Sequence, residues 1–377
     1  MTGLDRAAAL DRARQFVPVL RERAAKGEAL RRVPDETIAD LIDSKLLRLC
    51  QPARFGGSEL GWDVLCETSI ELARGDGSQG WVANIYAEHP YIAALFEDEA
   101  QHEVWDSDPD VLICASLIPQ GNRVETVPGG FRMTGRWSFA SGVHHAKWII
   151  LGEIPGGGTD RADGFLFLVP SSQYRVEDDW HSVGMAGTGS SSVTLDNVFV
   201  PAHRALATRD INAGTAPGTK LNRAPLYRMP VLGYAQLALA AVPIGAAIGM
   251  VDDFRNFIRG KAPGELLQER LAEAAAETNA ASLVLMDVAR ANQAKLEAGI
   301  ALGEPDAARS ARDGAYAVLL ARRAATRLFE VTGGHGLYLS GPMQRAFRDV
   351  LGGAAHGSLG WQRAATRYAQ SVLNAKG

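Results

Sequence analysis

Two changes in the periodicity of the sequence limit what this chain can fold into. Up to about residue 110, apolar residues recur at helical spacing. From Val111 to Pro201 the runs are short, β-branched and broken by Gly and Pro. From about Leu226 the spacing is helical again. A chain of 377 residues arranged in this way is α+β. The expected units are an N-terminal α-helical domain over 1–110, a middle β domain over 111–224 and a C-terminal four-helix bundle over 225–377.

In the first unit, Leu4–Lys26 and a stretch starting at Pro34 read as helices, followed by Trp62–Ala73. Asp76-Gly77-Ser78 then breaks the chain, and Ser78 is the expected cap of the next helix. That helix carries Trp81, Ile85 and His89, four apart and so on one face, with Pro90 directly after. A further helix is expected over Asp98–Trp105. In the second unit seven short strands are expected, from Val111–Ile118 to Ser192–Val200. Pro128-Gly129-Gly130 makes a hairpin turn, and the set reads as a barrel or sandwich of antiparallel strands. In the third unit the four long helices start near Leu226, Leu266, Asp306 and Gln344, the last running to Leu373.

Composition closes several routes. A net charge of -4 gives no basic signature for nucleic acid. Charges at Asp5, Arg6, Asp11, Arg12 and Arg14 interrupt Met1–Leu20, so it lacks the apolar core of a signal peptide. The most apolar window, Val231–Val251, contains Gln236 and Pro243 and reads as a buried helix rather than a membrane span. Three cysteines without a CxxC pair argue against a disulfide framework and for a cytoplasmic protein. No HxxxH or HExxH is present, so no metal site is expected, and no GxSxG elbow appears.

Candidate functional residues lie in several stretches. Trp137-Ser-Phe-Ala-Ser-Gly142 reads as a strand ending in a turn. Its aromatic rings could pack on a flat ligand, and Ser138 and Ser141 offer hydroxyls. Gly184–Ser192 looks like a phosphate loop but is followed by a strand, not a helix. It is therefore either a plain flexible loop or a ligand-adjacent one. Gly333-Gly334-His335-Gly336 is either a helix stop or a close backbone approach to a cofactor. His356 has small neighbours, Ala354, Ala355 and Gly357, which leave room beside its imidazole. His144-His145 reads as loop, and the basic helix Arg312–Arg327 as a solvated face.

The order of helices, strands and bundle, with these motifs, resembles the acyl-CoA dehydrogenase superfamily over nearly the whole chain. Within it the chain is similar to the two-component flavin-dependent monooxygenases, which include 4-hydroxyphenylacetate 3-hydroxylase, dibenzothiophene monooxygenase and the nitrososynthases. The matching stretches are Gly75–Trp81, Cys114–Pro119, Trp137–Gly142, Gly187–Ser190 leading into Val198–Pro201, and Arg348-Asp349 before His356. The dehydrogenases carry a carboxylate base where this chain has Ala-Ala-His356, which favours oxygen chemistry over removal of a proton next to a thioester.

The resemblance implies an antiparallel β-barrel in the middle domain. It also implies a monooxygenase that takes reduced FMN or FAD from a separate NAD(P)H:flavin reductase. Reaction with O2 through a flavin C4a-hydroperoxide would then hydroxylate a phenol- or indole-like aromatic. An N-oxygenase of an amine or amino sugar, and an acyl-CoA dehydrogenase or oxidase with an unusual base, are the alternatives. By the same resemblance His356, Ser141 and His89 are catalytic, and His89, Ser116 and Trp81 bind substrate. Ser116, Trp137, Phe139, Ala140, Ser141, Gly333, Gly334 and Arg259 would bind flavin, the last three reaching that of a neighbouring subunit in a homotetramer.

Overall fold

The computed structural model describes residues 3–230 and 234–374. The first residues of the Met1–Leu20 stretch and of the Val231–Val251 window lie outside these. Five helices open the chain: α1 (Arg6–Leu30), α2 (Asp35–Asp43), α3 (Trp62–Gly75), α4 (Gly77–Ala93) and α5 (Asp98–Trp105). Eight strands follow: β1 (Ile113–Ser116), β2 (Arg123–Val127), β3 (Gly130–Trp137), β4 (Trp148–Glu153), β5 (Phe165–Pro170), β6 (Arg175–Val176), β7 (Val193–Pro201) and β8 (Ala205–Ala207). Two short helices, α6 (Thr208–Ala213) and α7 (Gly218–Leu221), lead into α8 (Gln236–Ile258), α9 (Glu265–Glu297), α10 (Glu304–Glu330), α11 (Pro342–Ala354) and α12 (Trp361–Leu373).

The strands form two four-stranded sheets, ordered β1-β4-β5-β8 and β2-β3-β7-β6. No hydrogen bonds among the described residues join them into a closed barrel. The expectation of antiparallel pairing throughout also needs correction, because β1 and β4 run parallel. The reason is topological. After β1 the chain crosses to the other sheet, makes the β2–β3 hairpin and only then returns, a long crossover that brings β4 back in the same direction.

Two helical expectations change. The cap of α4 is Asp76, whose carboxylate accepts from the Gln79 N–H at 2.9 Å, and Ser78 lies inside the first turn. α4 runs on through Pro90 to Ala93. The expected last helix from Gln344 is two helices, because Gly357 and Gly360 interrupt it around a short 3-10 turn capped by His356. The bundle therefore has five principal helices, with α12 folded back onto α10.

Every residue of α4 is buried, so it behaves as a central core helix and not an amphipathic one. It packs on α3, α8 and β1. α8 is the one helix among the described residues long and apolar enough to cross a membrane, with a mean hydropathy of 1.6. But 78% of that window is buried in the protein, where α8 packs on α3, α10 and α11. Gly245 makes the α3–α8 approach possible, since a Cβ there would lie 2.2 Å from the Ile70 carbonyl oxygen. One continuous apolar core joins the front helices, the sheets and the bundle.

Candidate active site

β3 ends at Trp137, and the following turn is held from three sides. The Ala140 N–H donates to the Ser191 carbonyl at 3.1 Å and the Gly142 N–H to the Thr188 carbonyl at 2.9 Å. The Tyr86 hydroxyl donates to the Gly142 carbonyl. Phe139 and Gly142 have φ of 66° and 77°, the left-handed region. The outcome is that Ser141 and Ala140 point inward and are buried, while the Phe139 ring is 70% exposed, edge-on to Trp180. The left-handed backbone at Phe139 and the ring it leaves open beside Trp180 make this turn a candidate ligand surface. Trp137 is fully buried and its indole N–H is taken by the Gly152 carbonyl at 3.2 Å, so its side chain serves the core of the β region.

Gly184–Ser190 is the loop that secures this turn. It is buried throughout, which removes the plain flexible-loop reading. Thr188 and Ser190 share a hydroxyl contact at 2.6 Å, Ser190 and Ser141 another at 2.7 Å, and the Trp81 indole N–H donates to Ser141 Oγ at 3.1 Å. The Trp81 and His356 rings lie 5.8 Å apart. The structure thus brings together Trp81, Ser141 and His356, which are far apart in sequence. Ser190 and Thr188 join them; the sequence marked their stretch, Gly184–Ser192, as a possible ligand-adjacent loop but gave neither residue a role of its own.

His89 and Ser116 sit at opposite ends of β1, on the order of 10 Å apart at strand rise. The His89 Nδ1 is 3.1 Å from the Ile113 carbonyl, which requires the proton on that nitrogen and leaves Nε2 with a free lone pair. Burial pushes the imidazole down to about 4, so it is neutral at pH 7. The Ser116 hydroxyl donates to the Ser138 carbonyl at 2.8 Å and accepts from the Gln120 amide at 3.0 Å. His356 Nδ1 accepts from the Ser358 N–H at 3.3 Å, so the neutral ring carries its proton on Nε2. Burial, and then the charge of Arg363, push this imidazole down as well.

Gly333, Gly334 and Arg259 do not join this group within one chain. The segments that carry them come together at one end of the bundle, where the Phe257 ring on α8 lies 6.4 Å from that of His335. Arg259 is exposed; its N–H donates to the Arg255 carbonyl at 3.1 Å, and its side chain makes no hydrogen bond or ion pair to another described residue. A Cβ on Gly333 or Gly334 would meet nothing within 4 Å.

These residues fit a flavin. A flat, edge-polar ring needs aromatic surface, hydroxyls at one edge and room for backbone approach. Phe139 and Trp180 offer the aromatic surface and Ser141 and Ser190 the hydroxyls, while the open Gly333-Gly334 turn lies apart from them in this chain. The groups around Ser141 are hydroxyls, an indole and an imidazole. The buried carboxylate of α11, Asp349, is turned away to Ser78 and Met185. Among the described residues Glu99, Glu103 and His203 form a cluster with metal-ligand spacing, but Arg204 already pairs with Glu103.

Residues 237–361 match the family model for the acyl-CoA dehydrogenase C-terminal domain. The FADH2-dependent resorcinol hydroxylase oxygenase component of Rhizobium sp. (strain MTP-10005) is 38% identical over 374 residues, covering 94% of this chain and 91% of that protein. The crystal structure of 3-HSA hydroxylase from Rhodococcus sp. RHA1 superposes with a TM-score of 0.94 at 33% identity, over 98% of this chain and 97% of that one. XiaF from Streptomyces sp., solved with FADH2 and glycerol, gives 0.87 at 27% identity, over 98% and 96%.

Proposed function

We infer the reaction from one premise: the chain belongs to the oxygenase components of the flavin-dependent monooxygenases, on the acyl-CoA dehydrogenase fold. It is an oxidoreductase that works with reduced flavin, and FADH2 is the form favoured by the relatives. Reduced flavin, when bound, activates O2 so that one oxygen atom goes to the substrate and the other to water. A separate reductase supplies the reduced flavin. The substrate in this reading is a small phenol-like aromatic, which the resorcinol hydroxylase relative supports.

The observation that carries the reading is a pair of imidazoles of opposite polarity, both pushed towards the neutral form: half-buried His356 beside the Trp81–Ser141 pair, and buried His89 two turns along α4 from Trp81. His89 Nε2 can accept a phenolic O–H, which pushes electron density into the ring and suits attack by electrophilic oxygen. His356 Nε2–H can donate to the oxygen being transferred or to the leaving oxygen. Ser141, oriented by Trp81 and Ser190, would meet the reactive edge of the flavin, with Ala140 and Phe139 beside it. Ser116 would contribute its second lone pair to substrate or flavin. The buried shell around Ser141 excludes water, which limits loss of hydrogen peroxide.

The same reading assigns 1–110, 111–224 and 225–377 as the three domains, 225–377 being the helical domain on which subunits assemble. A homotetramer is supported by Leu337, Tyr338 and Leu339, exposed large apolar residues next to the Gly333-Gly334 turn. In such an assembly Gly333, Gly334 and Arg259 would serve a neighbour's flavin. Three buried, unpaired thiols support a cytoplasmic setting.

The test is a turnover with chemically reduced FAD, resorcinol and 18O2, read by mass spectrometry. A hydroxylated ring carrying one 18O atom is expected. Bleaching of bound oxidised FAD by an acyl-CoA, with no labelled product from a panel of phenols and indoles, would overturn the reading.

A further inference from the structure

The contacts around Ser141 form a circuit that returns to the helix it starts from. α11 bears Asp349 and delivers His356 just beyond its last turn. The Asp349 side chain is buried, only 4% exposed. One of its oxygens accepts from the Met185 N–H at 2.6 Å, and the other from the Ser78 hydroxyl at 3.3 Å. The Met185 carbonyl then accepts from the Thr188 hydroxyl at 2.8 Å. Thr188 meets Ser190, Ser190 meets Ser141, Trp81 donates to Ser141, and the Trp81 ring faces His356. Ser78 and Trp81 are both on α4, so the second oxygen of Asp349 ties down the other side of the circuit too. Met185 has φ of 56°, a conformation L side chains rarely adopt, and the bond to Asp349 is what its N–H gains there.

We propose that Asp349 is the positioning residue of the oxygen-transfer site: by holding Met185 and Ser78 it sets the separation of Ser141 and His356. That separation decides between two outcomes. In the coupled reaction an aromatic C–H, reduced flavin and O2 give a C–OH, oxidised flavin and water. In the uncoupled one, reduced flavin and O2 give oxidised flavin and hydrogen peroxide. The inference rests on the monooxygenase reading. Burial, and then the Asp76 carboxylate, push the Asp349 carboxyl up. A proton on the oxygen facing Ser78 leaves the acceptor for Met185 in place, so an amide should replace the acid.

The experiment measures hydroxylated product and hydrogen peroxide per reduced FAD for wild type, Asp349→Ala, Asp349→Asn and Thr188→Val. Asp349→Ala is expected to move most of the oxygen consumed into hydrogen peroxide, with the Kd for reduced FAD unchanged within about two-fold. Asp349→Asn should restore coupling, because its side-chain oxygen still accepts from Met185. Thr188→Val cuts the circuit one step along without touching the buried acid, so it decides the matter if Asp349→Ala does not fold. A residue that only stabilises the fold would lower the melting temperature and leave the product-to-peroxide ratio alone. Unchanged coupling in Asp349→Ala, or in Thr188→Val, overturns the proposal while the monooxygenase reading stands. A wild-type protein that makes no labelled product from any aromatic overturns both.

Discussion

Acid should unfold this protein partly through His89, and the size of the effect follows from its burial. In the unfolded chain the imidazole has an ordinary value near 6.5; in the fold, burial pushes it down to about 4. Above pH 6.5 the ring is neutral in both states and costs nothing. Between 6.5 and 4 the unfolded chain binds a proton that the native protein does not, so stability falls as pH falls. Below 4 both bind it and the loss stops growing. The window spans about 2.5 pH units at ~1.36 kcal/mol each, which gives about 3 kcal/mol. His89→Asn is the control, because an amide nitrogen at the Nδ1 position can still donate to the Ile113 carbonyl, and it does not titrate. Urea unfolding of flavin-free protein at one concentration, from pH 4 to 7.5, provides the assay. The stability difference between wild type and variant should change by ~1.4 kcal/mol per pH unit inside the window and be flat above it. Parallel curves across the whole range would show that His89 titrates in the native protein as it does in water. The buried neutral imidazole, and the phenol-accepting role built on it, would then fall.

Glu88 predicts the opposite slope. Burial pushes its carboxyl up to about 8, so the native protein keeps a proton that the unfolded chain has already lost, and stability falls as pH rises from 4.5 through 8. Glu88→Gln should therefore gain on wild type by roughly 4 kcal/mol between pH 5 and 8 in the same urea assay, and a pH-independent difference would refute this. Ser141→Ala should raise the yield of hydrogen peroxide per reduced flavin while flavin binding persists, measured by peroxidase assay; an unchanged yield removes Ser141 from the reactive edge. His356→Ala should depress hydroxylation about 100-fold with the Kd for reduced FAD held, and a loss of flavin binding instead would make the residue structural. Gly142→Ala places a Cβ 2.8 Å from the Tyr86 hydroxyl on a backbone with φ of 77°, so a loss of at least about 2 kcal/mol is expected by urea unfolding; a smaller loss would mean that the turn relaxes freely.

Much of this protein could be read from local pattern. The helix–strand–helix order follows from periodicity, since 3.6- and 2-residue repeats are properties of short windows. So does the shared face of Trp81, Ile85 and His89, which needs only the pitch of a helix. The turn at Trp137–Gly142 stood out because its residue types are unusual together. The resemblance to the flavin monooxygenases rested on several such short stretches in order.

What local pattern did not contain is which distant groups meet. The pairing of β1 with β4 depends on where a crossover returns. Asp76, not Ser78, caps α4 because the backbone geometry at the start of that helix decides which side chain reaches Gln79. From its residues alone Gly184–Ser190 reads either as a flexible loop or as a ligand-adjacent one, because glycines and serines favour loops in isolation. It is buried only because Asp349, 164 residues away from Met185, holds one end and Ser141, 49 residues from Ser190, holds the other. The same holds for the opposite polarity of the two imidazoles: histidine at positions 89 and 356 is legible in the sequence, but the carbonyl of Ile113 and the N–H of Ser358 choose the tautomers. The sequence by itself determined the elements and the chemical groups they carry. Only the tertiary structure decided which of those groups lose their water and face each other, because burial and hydrogen-bond direction are properties of neighbours in space and not along the chain.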